Sequence, residues 1–368
     1  MILEGYRDPG LAKKLRLEIE RLAGSIPEHV ILMHVCGSHE WTITHFGIRT
    51  LLPDNVEVRA GPGCPVCVTP AADIDAAVRL SFDGKTILTY GDMSRARGSS
   101  MSLFDAKASG GDFRVVYSVH DAVEMARANP GREHVFFAVG FETTAPPTAY
   151  EILKGPPTNL TFLTSYRYVP PAVEAVATSP DLAVSGFINA GHASTVTGMK
   201  AYDSCFQKTR KPMAFAGFEP IDVLISIAML LRQIAGKEPK MENEYTRAVT
   251  WEGNVRAQAA MDKAFDRTDG YWRGVATIPG SGFTIREEFR CHDARARFGL
   301  RETSGSEQFV PKARCGEVIL GKIDPPECPL YMKECCPASP KGPTMVSAEG
   351  TCKIWADHKV LASMRCRL

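Results

Sequence analysis

Residues Gly10 to Gly24 set Leu11, Leu15, Ile19 and Leu22 at helical spacing, with lysines and arginines between them. That pattern predicts an amphipathic helix. After it the apolar positions fall into short runs separated by polar turns. His29–Cys36 (HVILMHVC) reads as a strand, and helix-prone residues start after Gly37. Val56–Ala60 is a short strand entering a Gly-Pro-Gly-Cys loop, Ala71–Phe82 a helix, and Thr86–Tyr90 a strand ending at Gly91-Asp92-Met93-Ser94-Arg95. Phe113–Ser118 reads as a strand and Asp121–Asn129 as a helix. Strand–helix alternation of this kind predicts a parallel α/β domain.

A second lobe starts near His134. His134–Val139, Leu160–Thr164, Leu182–Ser185 and Met213–Ala216 read as strands, and three of these four run into Gly-Phe: Gly140-Phe141, Gly186-Phe187 and Gly217-Phe218. The repetition fits strands ending at one sheet edge, where α/β proteins place ligands. The plainer reading, that Gly-Phe closes buried strands, stands beside it. From Met241 the pattern changes. Helical segments around Asn243–Phe265 give way to a loop-rich stretch in which Pro325, Pro326, Pro329, Pro337, Pro340 and Pro343 crowd the last cysteines. Such a segment has little apolar periodicity, and a metal centre would supply cohesion. The expected organisation is an amphipathic helix over residues 1–24 packing on another domain, α/β domains over 25–130 and 131–240, and a cysteine-bearing domain over 241–368.

Composition narrows the class. The chain has 368 residues, 44% hydrophobic and 23% charged, which are ordinary globular values. A net charge of +1 gives no basic field for nucleic acid. The first residues lack the basic-then-apolar order of a signal peptide. Ile221 to Leu231, the longest apolar stretch, is too short to span a bilayer. The expectation is a cytoplasmic protein that binds neither nucleic acid nor membrane. In a reducing cytosol, eleven cysteines read as metal ligands or redox thiols rather than a disulfide framework.

Those cysteines divide into two groups. Cys36, in Cys36-Gly37-Ser38-His39-Glu40, and Cys64 and Cys67, in GPGCPVC, come early; Cys315, Cys328, Cys335, Cys336 and Cys352 crowd the end. Cys205 and Cys291 lie between, and Cys366 trails. Cys64-x-x-Cys67 has redox spacing in a stiff turn, suited to a soft metal or a disulfide. Cys36 ends a strand and begins a helix, whose dipole is expected to lower its pKa. His39 and Glu40 would share its helix face, His39 as a second ligand or as a structural histidine. The late spacing is C-x12-C-x6-C-x16-C with Cys335, or C-x12-C-x7-C-x15-C with Cys336. Four thiolates there suit an iron–sulfur cubane, with structural zinc the alternative. His192, in a small-residue turn after a strand, is placed to donate to an anionic or cyano-type ligand or to cap a helix. Glu142 and Glu219 would line the same cleft or sit in first helical turns. There is no Walker A sequence, no G-x-G-x-x-G and no C-x3-C-x2-C radical motif.

Taken together, Cys36–Glu40, Gly61–Pro70, Gly91-Asp92-Met93, Gly140–Thr144 (GFETT), Gly191-His192 with Ser194-Thr195, Gly217–Pro220 (GFEP), Cys328-Pro329-Leu330 and Met345–Gly350 (MVSAEG) before Cys352 resemble the HypD family of hydrogenase maturation factors. The match runs over nearly the whole chain. The resemblance implies two related parallel-sheet α/β domains plus a third, loop-rich and helical domain with a 4Fe–4S cluster. It implies a scaffold on which a mononuclear iron receives CN and CO ligands, giving the Fe(CN)2CO unit of [NiFe]-hydrogenase. The implied partners are a small HypC-type chaperone and HypE as cyanide donor. By position, Cys36, Cys64 and Cys67 would surround the iron, with His39, Glu142 and His192 in the same cleft. Cys315, Cys328, Cys335 and Cys352 would hold the cubane, Cys335 rather than Cys336 because the family pattern puts one cysteine seven residues after the Cys328 equivalent. An iron–sulfur-dependent thiol–disulfide oxidoreductase is the rival reading.

Overall fold

A computed structural model describes residues 4–300 and 312–359. Two parallel sheets carry the fold. The first has five strands in the order β2 (Val56–Ala60), β1 (Val30–His34), β7 (Gly186–Ala190), β8 (Met213–Ala216) and β9 (Met241–Asn243). The second has four, in the order β4 (Phe113–Val115), β3 (Thr86–Thr89), β5 (His134–Gly140) and β6 (Leu160–Tyr166). Strands β1, β5, β6, β7 and β8 are buried at every residue. That is the signature of sheets covered on both faces by helices. Edge strand β2 instead alternates buried and half-buried positions.

The α/β class is as expected, but the sheets do not divide the chain near residue 130. Strands β7 and β8, expected in the second domain, pair with β1 of the first: Met33 stands beside Phe187, and Phe187 beside Met213. Alternation along a sequence predicts parallel strands; it does not name their neighbours. Leu182–Ser185 is not a strand, because β7 starts at Gly186. Gly186-Phe187 therefore opens a strand, whereas Gly140 is the last residue of β5 and Gly217-Phe218 follows the end of β8. Residues 243–254 are largely turn and loop, and the helix expected there begins only at Val255. The stretch after it holds an antiparallel hairpin, β10 (Phe265–Trp272) with β11 (Ala276–Ile285), which the loop-rich reading missed.

One apolar cluster joins the two sheets, including Met33, Phe187 and Phe215 from the first and Ile87, Val135 and Phe137 from the second. Trp272 of the hairpin is fully buried in it, stacked on Phe141 at 5.7 Å, with its indole N–H donating to Ser281 Oγ at 2.8 Å. The amphipathic helix, Pro9–Ala23, is capped by Asp8 and buries Ile19, Leu22 and Ala23 in the core on the other face of the first sheet, with Leu230 and Leu231. Among the described residues no helix is long and apolar enough to cross a membrane.

Residues 312–359 lean on both sheets. Arg59 Nη1 donates to Gly321 O at 3.4 Å, and Trp355 Nε1 to Glu40 Oε1 at 2.6 Å. Ser347 Oγ and Ala348 N both donate to Asp92 Oδ2 at 2.9 Å. Their own apolar core is small: Val318, Ile323, Leu330 and Met345, packed with Cys328, Cys335 and Cys352.

Candidate functional site

Strands β1 and β2 are neighbours, with His34 in register with Ala60. Their outgoing loops therefore leave the same sheet edge side by side. One carries Cys36, the other Cys64 and Cys67. Gly61 N donates to His34 O at 2.7 Å and Gly37 N to Gly63 O at 3.1 Å, stitching the loops together. A side chain at Gly63 would stand 2.3 Å from Cys36 N, and one at Gly37 would stand 2.5 Å from Glu349 Cβ. Both glycines are needed for that close approach.

The three cysteines line one cavity, with His34, Glu40 and Glu349. Cys64 and Cys67 are joined by a disulfide, with Cα atoms 5.3 Å apart. Cys36 sits in extended backbone as the N-cap residue of the Gly37–His45 helix. Its thiol was expected to be acidic, and it is not. Burial pushes it up to about 11, the Glu349 charge adds to the rise, and the N–H groups of His39 and Ser38 only partly oppose it. Desolvation outweighs the helix terminus. Glu349 is itself raised, by burial and then by Asp92.

Glu40 is 1% exposed and anchors this edge. Its Oε1 accepts from Thr44 Oγ1 (2.7 Å), Arg49 Nη1 (3.0 Å) and Trp355 Nε1 (2.6 Å), and its Oε2 from His34 Nε2 (2.7 Å) and Arg49 Nη2 (2.7 Å). Burial alone would raise its pKa; Arg49 and the His34 hydrogen bond overcome that and hold it well below the usual carboxylate range.

His39 is buried, but it is not part of the cavity wall. Its Nε2 donates to Gly217 O at 2.9 Å, and its ring stacks on Phe218 at 4.7 Å. His192 stacks on Phe218 at 3.7 Å, making a His39–Phe218–His192 sandwich over the ends of β7 and β8. Burial, then the neighbouring His34, lowers the His39 pKa to about 3, so the ring is neutral at physiological pH. His192 is exposed at its helix start. Glu219 does not line a cleft: it pairs with Arg7 through two hydrogen bonds of 2.5 and 3.0 Å.

Glu142 follows β5 and is fully buried. Its Oε1 accepts from Val169 N at 2.6 Å, and Oε2 finds no partner among the described residues. Burial raises its pKa to about 7, against the partial relief of the Val169 N–H. The folded chain thus holds a proton between pH 4.5 and about 7 that the unfolded chain has released, and stability falls as pH rises through that window. Ionising it costs about 3 kcal/mol by pH 8. Glu142→Gln keeps an acceptor for Val169 without the charge. It is expected to exceed the parent in stability at pH 8 and to match it near pH 4.5. Urea unfolding across that range tests this; identical pH slopes would refute it.

The late cysteines meet in a second cavity. Cys315, Cys328, Cys335 and Cys352 all line it, with Thr344 and Lys341, while half-buried Cys336 is not in its wall. Burial pushes the Cys315 thiol up to about 11 and raises Cys352 as well. A cavity closed by four sulfurs is the donor set a cubane requires. Among the described residues no group of three or more His, Cys, Asp or Glu side chains is arranged to hold a metal ion. Cys205 is buried away from both cavities, Cys291 is exposed, and Cys366 lies outside the described residues.

Thr344 lines both cavities. Sequence reasoning passed over it, and over Glu349, Trp355 and Asp92. Glu349 and Thr344 flank or fall within MVSAEG, which marked the segment without assigning either residue a task.

A family model named HypD, described as the hydrogenase formation hypA family, matches residues 10–359. A putative hydrogenase expression/formation protein of Methanocaldococcus jannaschii is 43% identical over 356 residues, covering 96% of this chain and 98% of that one. The hydrogenase maturation factor HypD of Rhodobacter capsulatus is 41% identical over 361 residues, covering 94% and 95%. That of Escherichia coli is 38% identical over 366 residues, covering 97% and 98%.

Proposed function

The chain belongs to the HypD family of hydrogenase maturation factors, and from that premise we propose that it is the scaffold on which an iron atom acquires its CN and CO ligands. The observation that carries this reading is the convergence of Cys36, Cys64 and Cys67 on one cavity at the outgoing edge of β1 and β2. Soft sulfur suits Fe(II), which is the substrate here and not a resident cofactor. The cavity is partly desolvated, which strengthens the pull of thiolate on metal.

Each residue has a task. Cys36 gives up its proton as it takes the metal, and the metal's charge offsets the burial that otherwise keeps the thiol protonated. The Cys64–Cys67 disulfide has no thiolate to offer until it takes two electrons and two protons to become a dithiol. Glu40 fixes the helix behind Cys36. Glu349, held over Gly37, can carry a proton into the cavity. The Phe218 stack, with neutral His39 beneath and exposed His192 above, forms a rim on which a partner can settle. A HypC-type chaperone adding one more thiolate, and HypE delivering cyanide, are the partners this reading takes from its family.

Cys315, Cys328, Cys335 and Cys352 would hold a 4Fe–4S cluster. When bound, such a cluster supplies single electrons at low potential. One anaerobic preparation tests the scheme. Iron and acid-labile sulfide in equal amounts, with extra iron and CN and CO infrared bands in the complex with the chaperone, are expected. Zinc in place of iron and sulfide would overturn it. The disulfide beside a four-cysteine cavity also fits a thiol–disulfide oxidoreductase, which would turn over a disulfide substrate with no extra iron and no such bands.

A further inference from the structure

We propose that Thr344 is the positioning residue that joins the two cysteine centres and sets the reduction potential of a cluster in the second cavity; this rests on the four-cysteine assignment above. Thr344 is 2% exposed and is common to the walls of both cavities. Its hydroxyl donates to Cys352 Sγ at 3.2 Å and lies beside the Cys315 thiol as well. On its other side, the carbonyl oxygen of Pro343 is 3.7 Å from Cys67 Sγ. Two consecutive residues therefore span from the disulfide to the sulfurs of the second cavity.

The chemistry follows from the donor. A hydroxyl aimed at a cysteine sulfur stabilises negative charge there. Reduction adds negative charge to a thiolate-ligated cluster, so this hydrogen bond favours the reduced form and raises the potential. The neighbourhood gives few substitutes: Val318, Leu330 and Met345 have apolar side chains, and the Tyr331 hydroxyl, the other side-chain hydroxyl on the wall, makes no hydrogen bond among the described residues. Lys341 N serves a different sulfur, Cys335, at 3.3 Å. The fold also fixes the residue firmly. It lies in the Pro343–Met345 turn, and the following loop is tied to Asp92 through Ser347 and Ala348.

The test compares Thr344→Val, which keeps the shape and removes the hydroxyl, with Thr344→Ser, which keeps the hydroxyl. All are prepared anaerobically as full chains and titrated with dithionite and redox mediators while the cluster's electron paramagnetic resonance signal is followed. The valine variant is expected to retain iron and sulfide and to shift about tenfold toward the oxidised form at a fixed potential, 59 mV for a one-electron couple. The serine variant is expected to stay at the parent value. A valine variant with the parent's potential overturns the proposal. If the valine variant loses its metal, the serine variant decides: the parent's potential supports the role and a shifted one refutes it. A parent chain without iron and sulfide would instead overturn the cluster assignment itself, so the two failures are distinct.

Discussion

Cys36→Ala is expected to abolish the CN and CO stretching bands of the purified complex with its chaperone. Cys36 is the one cysteine on the first cavity that is not in the disulfide. It is held by backbone on both sides, as N-cap of the Gly37–His45 helix and against Gly63. The other two sulfurs on that wall are tied up in the Cys64–Cys67 disulfide, and once reduced they would add to Cys36 and not replace it. The substitution removes a single small sulfur from a site already backed by Ala190 and Ala193, and the chain should stay folded. The cost is about 1 kcal/mol. Iron and sulfide in the second cavity should also persist, because Cys36 does not line it. The infrared bands are the readout. Full band intensity in the variant would remove Cys36 from the assembly site.

Glu40→Ala is expected to be the most destabilising single change at this edge, by about 3–5 kcal/mol. It removes five hydrogen bonds and leaves Arg49 as a half-buried cation whose Glu40 carboxylate is gone. The damage is not local. Trp355 shares the Thr351–Asp357 helix with Cys352, and its indole N–H bonds to Glu40. Losing that bond loosens the helix that brings Cys352 to the second cavity. The variant should unfold at lower urea and retain less iron and sulfide. Glu40→Gln, which can still accept from Trp355, should fall between. The pH dependence has a definite sign. The folded pKa of Glu40 lies below its ordinary 4.5, so its contribution is present above that value and is lost as pH falls toward the folded pKa. A parent-like urea midpoint in Glu40→Ala would show that the network contributes nothing net.

Much of the fold was legible in local pattern. Val56–Ala60, Ala71–Phe82 and Met213–Ala216 have the bounds that the pattern assigns, because the first alternates at strand period, the second repeats apolar positions at helical period and the third is a short apolar run. Leu182–Ser185 misled for the same reason that short apolar runs often do. Leu182 and Val184 are buried core residues, but in irregular backbone before β7. The hairpin after Phe265 was missed because its strands are polar on one face and interrupted by Gly270, Gly280 and Gly282. The acidity expected of Cys36 followed from the helix start alone. Burial by Glu349 and its loop, more than 300 residues away in sequence, reverses it.

The sequence by itself determined the family and the α/β class and marked out the two cysteine groups, since those rest on residue types at short spacings. Only the tertiary structure decided what those cysteines face. It interleaved the sheets, set Cys36 beside the Cys64–Cys67 disulfide, and moved His39 behind the cavity wall to Gly217. It also placed Pro343 and Thr344 between the two centres. Short-range chemistry is written along the chain. Burial, and therefore charge and proton affinity, depends on segments that meet only after folding.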